Sequence, residues 1–298
     1  MRQVHKNTGL GVLCQLFGKT RQAYYKRENH QEKQSIKEGI VLDFVRLIRE
    51  KIPRIGGRKL HYMLSEELTC HDIKLGRDAL FTLLNVHDML IRPRRKYART
   101  TNSRHHFRKY KSLISSFNAQ YVNELWFSDI TYIKVQGKWN YVIFIIDAYS
   151  HKVIGYNIDT TMDAEFCEVA LDQALSQWEN RERLLIHHSD RGVQYCSNLY
   201  TDKLKSANIK ISMTQNSDPR ENAVAERLNG IFKGDFLMDQ HFENLEEAQK
   251  RIAEMVYYYN HLRPHSSCDY LTPQQAYEMT DPLKKRWKPK KYSLPFVR

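Results

Sequence analysis

ELWFSDITYIKVQGKWNYVIFIIDAYSHKVIGYNID, residues 124–159, decides the fold. Apolar residues alternate along LWFSDITYIKV, and KWNYVIFIID and KVIGYNID continue in runs rich in Val, Ile and aromatics, so the stretch reads as three strands. Gln136-Gly137 supplies a two-residue turn between the first two, which makes them a hairpin. Downstream, DAEFCEVALDQALSQW reads as a helix crossing over to a buried strand, RLLIHHSD (183–190). A helix near 197–206, a short strand IKISM, a polar loop TQNSDPR and a helix NAVAERLNGIFK follow. Antiparallel strands followed by parallel strands with crossover helices predict an α/β domain, a mixed sheet flanked by helices.

Three acids fall at the functional ends of these elements: Asp129 in the first strand, Asp190 at the end of LLIHHSD, and Glu226 inside the last helix. Carboxylates brought together from a strand, a strand end and a helix suit hard divalent cations, Mg²⁺ or Mn²⁺, and with them phosphoryl transfer. Asp147, at the end of FIID, is read as a hydrogen-bonding structural acid, and Asp218 and Glu221 as caps of the Glu226 helix. His188 and Arg191 flank Asp190, where they could orient it or touch a polyanion. Steps of three, four and seven from Glu226 place Asn229, Gly230 and Lys233 on its helix face.

WFSDITYI, HHSDRGVQY and the 35 residues between Asp190 and Glu226 resemble the D-D-35-E signature of the retroviral-integrase superfamily. With PRIGGRKL, GRDALFTLL and YNHLRPHSSCDYLTPQQAYE, nearly the whole chain resembles the second-frame (OrfB type) transposases of the insertion sequence three family. The resemblance implies a ribonuclease H-like catalytic domain preceded by all-α helix-turn-helix units. It implies catalytic and metal-binding roles for Asp129, Asp190 and Glu226 with two Mg²⁺ (or Mn²⁺) ions, Asp129 bridging them. It also implies double-stranded DNA, transposon ends and target, as substrate, a homo-multimer on paired ends, and an upstream-frame helix-turn-helix protein as partner or frameshift fusion. The activity implied is cleavage at the element's 3′ ends and joining to target DNA by transesterification. A regulator derived from such an enzyme would be expected to have lost one of the acids. A nuclease that cuts without joining would have little use for two helical readers.

Those readers lie upstream. Residues 9–27 read as a short helix, a turn at Gly18 and a second helix capped by Thr20, with Arg21, Tyr24 and Lys26 available to DNA. Residues 36–91 read as three helices, the first stopped by Pro53 and the third entered through Gly76, with Arg77 at its start to contact DNA. Residues 92–111 hold nine Lys or Arg and no acid, which reads as a linker tracking phosphates through Arg94, Arg95 and Lys96, while Arg191 and Lys233 are the DNA contacts expected in the catalytic part. The expected segments are thus 1–35, 36–91, a linker 92–118, a catalytic core 119–240, a helical extension 241–280 and a basic tail 281–298.

The composition agrees with a polyanion partner: 47 Lys and Arg against 34 Asp and Glu give a net charge of +13. Five scattered cysteines, never in CxxC spacing, read as reduced thiols and not as a disulfide frame or a zinc module. No run approaches the ~20 apolar residues of a membrane span, so a soluble, cytoplasmic, nucleoid-associated protein is expected.

Overall fold

The computed structural model describes residues 9–91, 107–114, 117–178, 183–215, 222–238 and 240–283. The chain divides into two compact units, Met1–Glu50 with Met63–Leu90, and Lys51–Tyr62 with Ile91–Arg298.

The first unit is all-helical. α1 (Leu10–Leu16) leads through the turn at Gly18 into α2 (Arg21–Lys51), followed by α3 (Gly57–Cys70) and α4 (Arg77–Val86). Thr20 caps α2 as the sequence implies, its Oγ1 accepting from Ala23 N at 3.0 Å. α2 then continues as a single helix of 31 residues, through residue 35, where the sequence places a boundary between two helical segments. The physical reason is the polar stretch RENHQEKQS, which carries no Pro or Gly and is rich in strong helix formers. Contacts one turn apart support it: Tyr24 OH donates to Glu28 at 3.1 Å and Gln34 to Glu38 at 3.2 Å. Only the latter part of α2 has a core face, where Val41, Leu42 and Val45 are buried. Leu13 and Cys14 on α1, Leu64, Leu68 and Ile73, and Leu80, Leu83 and Leu84 on α4 are also buried in this unit.

The second unit holds the sheet. Its strands are β1 (Leu125–Val135), β2 (Lys138–Asp147), β3 (Val153–Asp159), β4 (Ile186–Ser189) and β5 (Lys210–Met213), in the order β3-β2-β1-β4-β5. β1, β2 and β3 are antiparallel, while β4 and β5 are parallel to β1 and to each other. The hairpin turn is the expected one: Gln136 and Gly137 both have positive φ, 50° and 76°, which matches the twist of the flanking strands. α5 (Ala164–Ser176), capped by Asp163, covers one face with α6 (Val193–Cys196) and α7 (Asn198–Ser206). α8 (Ala223–Gly234) and α9 (Leu245–His261) cover the other, where the rings of Phe144, Phe232 and Tyr259 meet in sequence at tilted angles. Alternation along β2 explains both layers: Ile143 and Ile145 join the α5 core, while Phe144 between them meets α8.

Gly155 marks the tightest approach of sheet and helix. A Cβ there would lie 2.1 Å from the carbonyl oxygen of Ala170, so β3 and α5 can pack only around a bare backbone. Gly155→Ala should therefore lower unfolding stability by about 1–3 kcal/mol through overpacking, read from urea denaturation. An unchanged midpoint would mean that α5 shifts freely on the sheet.

The C-terminal extension belongs to the same unit. The Asn260 side chain holds β3 by accepting from Val153 N at 3.0 Å and donating to Val153 O at 2.9 Å. α10 (Pro273–Glu278) begins with a capping box built by Thr272 and Gln275. The end of the expected linker is likewise structural: Phe107 and Tyr110 pack on the α5 core, and Leu113 N donates to Ser212 Oγ of β5 at 2.8 Å. Aromatic residues among the basic ones anchor this end, which composition by charge alone did not reveal.

Candidate active site

Asp129 sits in the middle of β1, opposite Phe144 of β2 and therefore on the α8 side of the sheet. β4 pairs with β1 only over Leu125–Phe127, with Phe127 level with His188. Two residues further along each parallel strand come Asp129 and Asp190, so the register brings the two acids to the same height at the point where β4 stops. Asp190 is then fixed by the chain that follows it, its Oδ1 accepting from Gly192 N at 2.9 Å. Glu226 lies in the first turn of α8 and is exposed. One turn later Asn229 reaches the sheet, donating from Nδ2 to Asp129 Oδ2 at 2.7 Å.

The electrostatics report the same convergence. The Asp129 carboxyl is pushed up to about 7, first by burial, then by the charge of Asp190 and, less, by that of Glu226, while the Asn229 hydrogen bond opposes the shift. The three carboxylates do not close on a single point; among the described residues, the one trio of potential ligand atoms all within 4.8 Å of one another is His151, His265 and Cys268.

Of the neighbours foreseen around Asp190, His188 has another duty. His188 is buried, its Nδ1 2.8 Å from Ser212 Oγ on β5 and its ring against Phe127. Burial lowers its pKa to about 4, so it is a neutral packing group between strands. His187 is tied to Tyr200 OH at 3.0 Å. Arg191 is half-buried beside Asp190. Lys233 donates to the backbone oxygen of Tyr132 at 3.2 Å, on the stretch of β1 that β4 is too short to pair, and its ammonium lies 5.3 Å from the Tyr132 ring centroid. Its described role is therefore to satisfy that strand edge.

Asp147 behaves as the structural acid the sequence suggests. It is fully buried, with Oδ1 accepting from Ser150 N and Oγ at 2.7 and 2.6 Å and Oδ2 from Asn123 N at 2.8 Å. In the helical unit, the Arg21 guanidinium lies against Gly11, Tyr24 bonds Glu28, Lys26 is exposed, and Arg77 pairs with Asp78 at 2.8 Å on an exposed helix start. Arg94, Arg95, Lys96, Asp218 and Glu221 lie outside the described residues. The N-cap of α8 is Asn222, without a side-chain capping bond. Asn229 is the functional neighbour whose role the sequence did not specify. Helix spacing placed it on the Glu226 face, but only the position of β1 decides which acid it touches.

Three antiparallel strands followed by two parallel ones, in the order β3-β2-β1-β4-β5 with helices on both faces, define a ribonuclease H-like fold. Two family models described as "Integrase core domain" match residues 119–219 and 207–273. The chain is 32% identical over 267 residues to the "Insertion element IS600 uncharacterized 31 kDa protein" of Shigella sonnei, covering 88% of this chain and 96% of that one. It is 28% identical over 281 residues to the "Transposase for insertion sequence element IS629" of Shigella sonnei, covering 92% and 93%. Against the "Transposase InsF for insertion sequence IS3A" of Escherichia coli (strain K12) it is 34% identical over 165 residues, covering 55% and 57%. The chain belongs to the insertion sequence three family of transposases, within the retroviral-integrase superfamily. Among solved structures, a simian T-cell lymphotropic virus intasome chain is similar with a TM-score of 0.48 and 19% identity, covering 80% of this chain and 81% of that one. The HTLV-2 integrase catalytic core domain in complex with magnesium is similar with a TM-score of 0.40 and 22% identity, covering 53% and 97%.

Proposed function

We propose that the chain is a DNA transposase that binds the terminal inverted repeats of an insertion sequence, cleaves at its 3′ ends and joins them to target DNA. The observation that carries this reading is the like-charge cluster at Asp129, whose carboxyl is held near 7 by burial and by Asp190 and Glu226. Such a cluster is unfavourable by itself and is relieved by a cation, and its hard oxygens fit Mg²⁺ or Mn²⁺. When bound, two such ions supply charge stabilisation for the attacking and leaving oxygens of an in-line displacement.

The chain's own groups set the geometry. Asp129, oriented by the Asn229 amide, Asp190, oriented by the Gly192 N–H, and Glu226 on α8 would hold the ions. Water attack on a phosphodiester at the transposon end frees a 3′-OH. That hydroxyl then attacks a target phosphodiester, one P–O bond forming as another breaks, so joining needs no ATP. The same acids serve both displacements. The two helices at residues 10–51 and the α3–α4 segment supply the DNA-binding surface, with Arg21, Lys26 and Arg77 at its exposed points and the half-buried Tyr24 beside them, and Arg94, Arg95, Lys96 and Arg191 add phosphate contacts. The protein acts as a multimer on paired ends, alone or fused to the upstream-frame helix-turn-helix protein. Among the described residues no helix is long and apolar enough to cross a membrane.

The test is a joining assay. Purified protein, duplexes carrying the element's own ends and a supercoiled plasmid should give end-joined plasmid with Mg²⁺ and none with EDTA. Nicking without joining would make the chain a nuclease, and specific binding without cleavage a regulator.

A further inference from the structure

The turn from β2 to β3 and the segment after α9 bring three ligand-type side chains together away from the carboxylates. His151 sits in that turn with φ 60°. His265 and Cys268 come from RPHSSC, which is wound tight by Cys268 N and Tyr270 N both donating to His265 O at 3.0 Å. The His151 and His265 rings lie 4.3 Å apart at 20°. One ligand atom from each of His151, His265 and Cys268 lies within 4.8 Å of the others.

Two further observations point to a ligand. His265 is 8% exposed, and its Nδ1 is buried with no hydrogen-bond partner. A buried imidazole nitrogen without a partner is costly, and a metal ion is one way to satisfy it. Beside the rings is a cavity of about 150 Å³, lined by His151, His265, Ser267, Tyr259 and Arg227 among others.

We propose that His151, His265 and Cys268 form a second metal site, for a borderline-soft divalent cation of which Zn²⁺ is the best match, with water as the fourth ligand. Two imidazoles and a thiolate are the donor set that Zn²⁺ takes in tetrahedral geometry, and a set that Mg²⁺ does not favour. Zn–N and Zn–S distances of about 2.0 and 2.3 Å require the three side chains to draw closer than they stand, with the rings turning out of their stack. Both imidazoles are neutral, the ligating form: burial and then the Arg227 charge bring His151 down to about 4, and burial, with neighbouring cationic groups, holds His265 well below its ordinary range. Burial and the Asp147 charge push the Cys268 thiol up to about 12, so binding exchanges a proton for the ion: Cys–SH + Zn²⁺ → Cys–S–Zn⁺ + H⁺. Arg227, Arg263 and Lys59 face the imidazoles and oppose a dication; the thiolate that forms, and Asp147 next to it, offset them. An ion there would pin the β2–β3 turn to the C-terminal segment. It would leave the carboxylate cluster to Mg²⁺.

The experiment uses the full chain, stripped with EDTA and titrated with Co²⁺ as a spectroscopic probe and with Zn²⁺. The expected result is a thiolate-to-Co²⁺ charge-transfer band saturating at one equivalent, displaced by Zn²⁺, with a rise in Tm on Zn²⁺ addition. The band should persist in an Asp129→Asn/Asp190→Asn variant and in Cys70→Ser, and disappear in Cys268→Ser. If Cys268→Ser does not fold, His151→Asn is read in its place, since Asn tolerates the left-handed backbone; its Co²⁺ affinity should fall at least about tenfold. No band in the wild-type chain, a band that survives Cys268→Ser, or undiminished affinity in His151→Asn overturns the site.

Discussion

Asp129→Asn, Asp190→Asn and Glu226→Gln should each reduce joining and cleavage together by more than about a thousandfold, the scale on which a transition-state charge stabiliser acts, while binding to terminal-repeat DNA persists. Each substitution keeps the shape of the side chain and removes a negative oxygen donor. Cutting and joining must fail in step, because one carboxylate set serves both displacements. Stability should move the other way. The Asp129 carboxyl is raised to about 7 from an ordinary value of 3.8, so the folded state holds a proton that the unfolded chain releases. Stability of the metal-free protein therefore falls as pH rises from about 4 through 7. Asp129→Asn removes that loss, and it can still accept from Asn229. Without metal its Tm should exceed that of the wild type at pH 8, and the gap should shrink as pH approaches 4. Asp147→Asn is the contrast. Both Asp147 oxygens accept backbone N–H groups, so an amide NH₂ must face a donor. That variant should lose stability yet retain activity per folded molecule. Wild-type cleavage by Asp190→Asn or Glu226→Gln would dismiss the assignment.

Acid is the second large lever. His187 is held down at about 3, and His188 and His151 at about 4, each chiefly by burial, with His265 lower still. A histidine depressed in the fold contributes stability that is complete above its unfolded value of about 6.5 and is lost as pH falls below it. Asp129 gains stability over the same window, and Asp147, also raised by burial, acts in the same direction, but two carboxyls oppose four imidazoles. At about 1.4 kcal/mol for each tenfold change in proton affinity, the protein should lose most of its folding free energy between pH 6.5 and 4.5. Urea midpoints measured at intervals across that range would show it. A flat profile from pH 7.5 to 5 would mean that these rings accept protons within the fold.

The antiparallel strands, the parallel strands that follow and the hairpin turn were legible because each is local: runs of apolar residues in strand pattern and a Gln-Gly pair. Contacts that depend on tertiary placement were not. Charge counting assigned Phe107 and Tyr110 to a linker, although their rings are packed on the core. Sequence spacing placed Lys233 on the Glu226 helix face but did not show that it donates to Tyr132 O, on the stretch of β1 that β4 does not pair. His188 seemed a partner for Asp190, but in a parallel pair it is the next strand's Ser212 that meets it. The His151–His265–Cys268 trio left no motif, since over a hundred residues separate the first from the other two. The continuity of α2 was readable in principle: nothing between Arg21 and Pro53 other than Gly39 discourages a helix.

The acids enter the site in chain order, two from the sheet and the last from α8, whose Asn229 also steadies the first. During synthesis, a chain that has already built β1 through β5 carries Asp129 and Asp190 but no complete cutting centre. On the proposed function, a polypeptide ended before α8 would lack the third acid and could not cut DNA. On that reading the site is completed only when α8 docks on the sheet, after Asp129 and Asp190 are already in place.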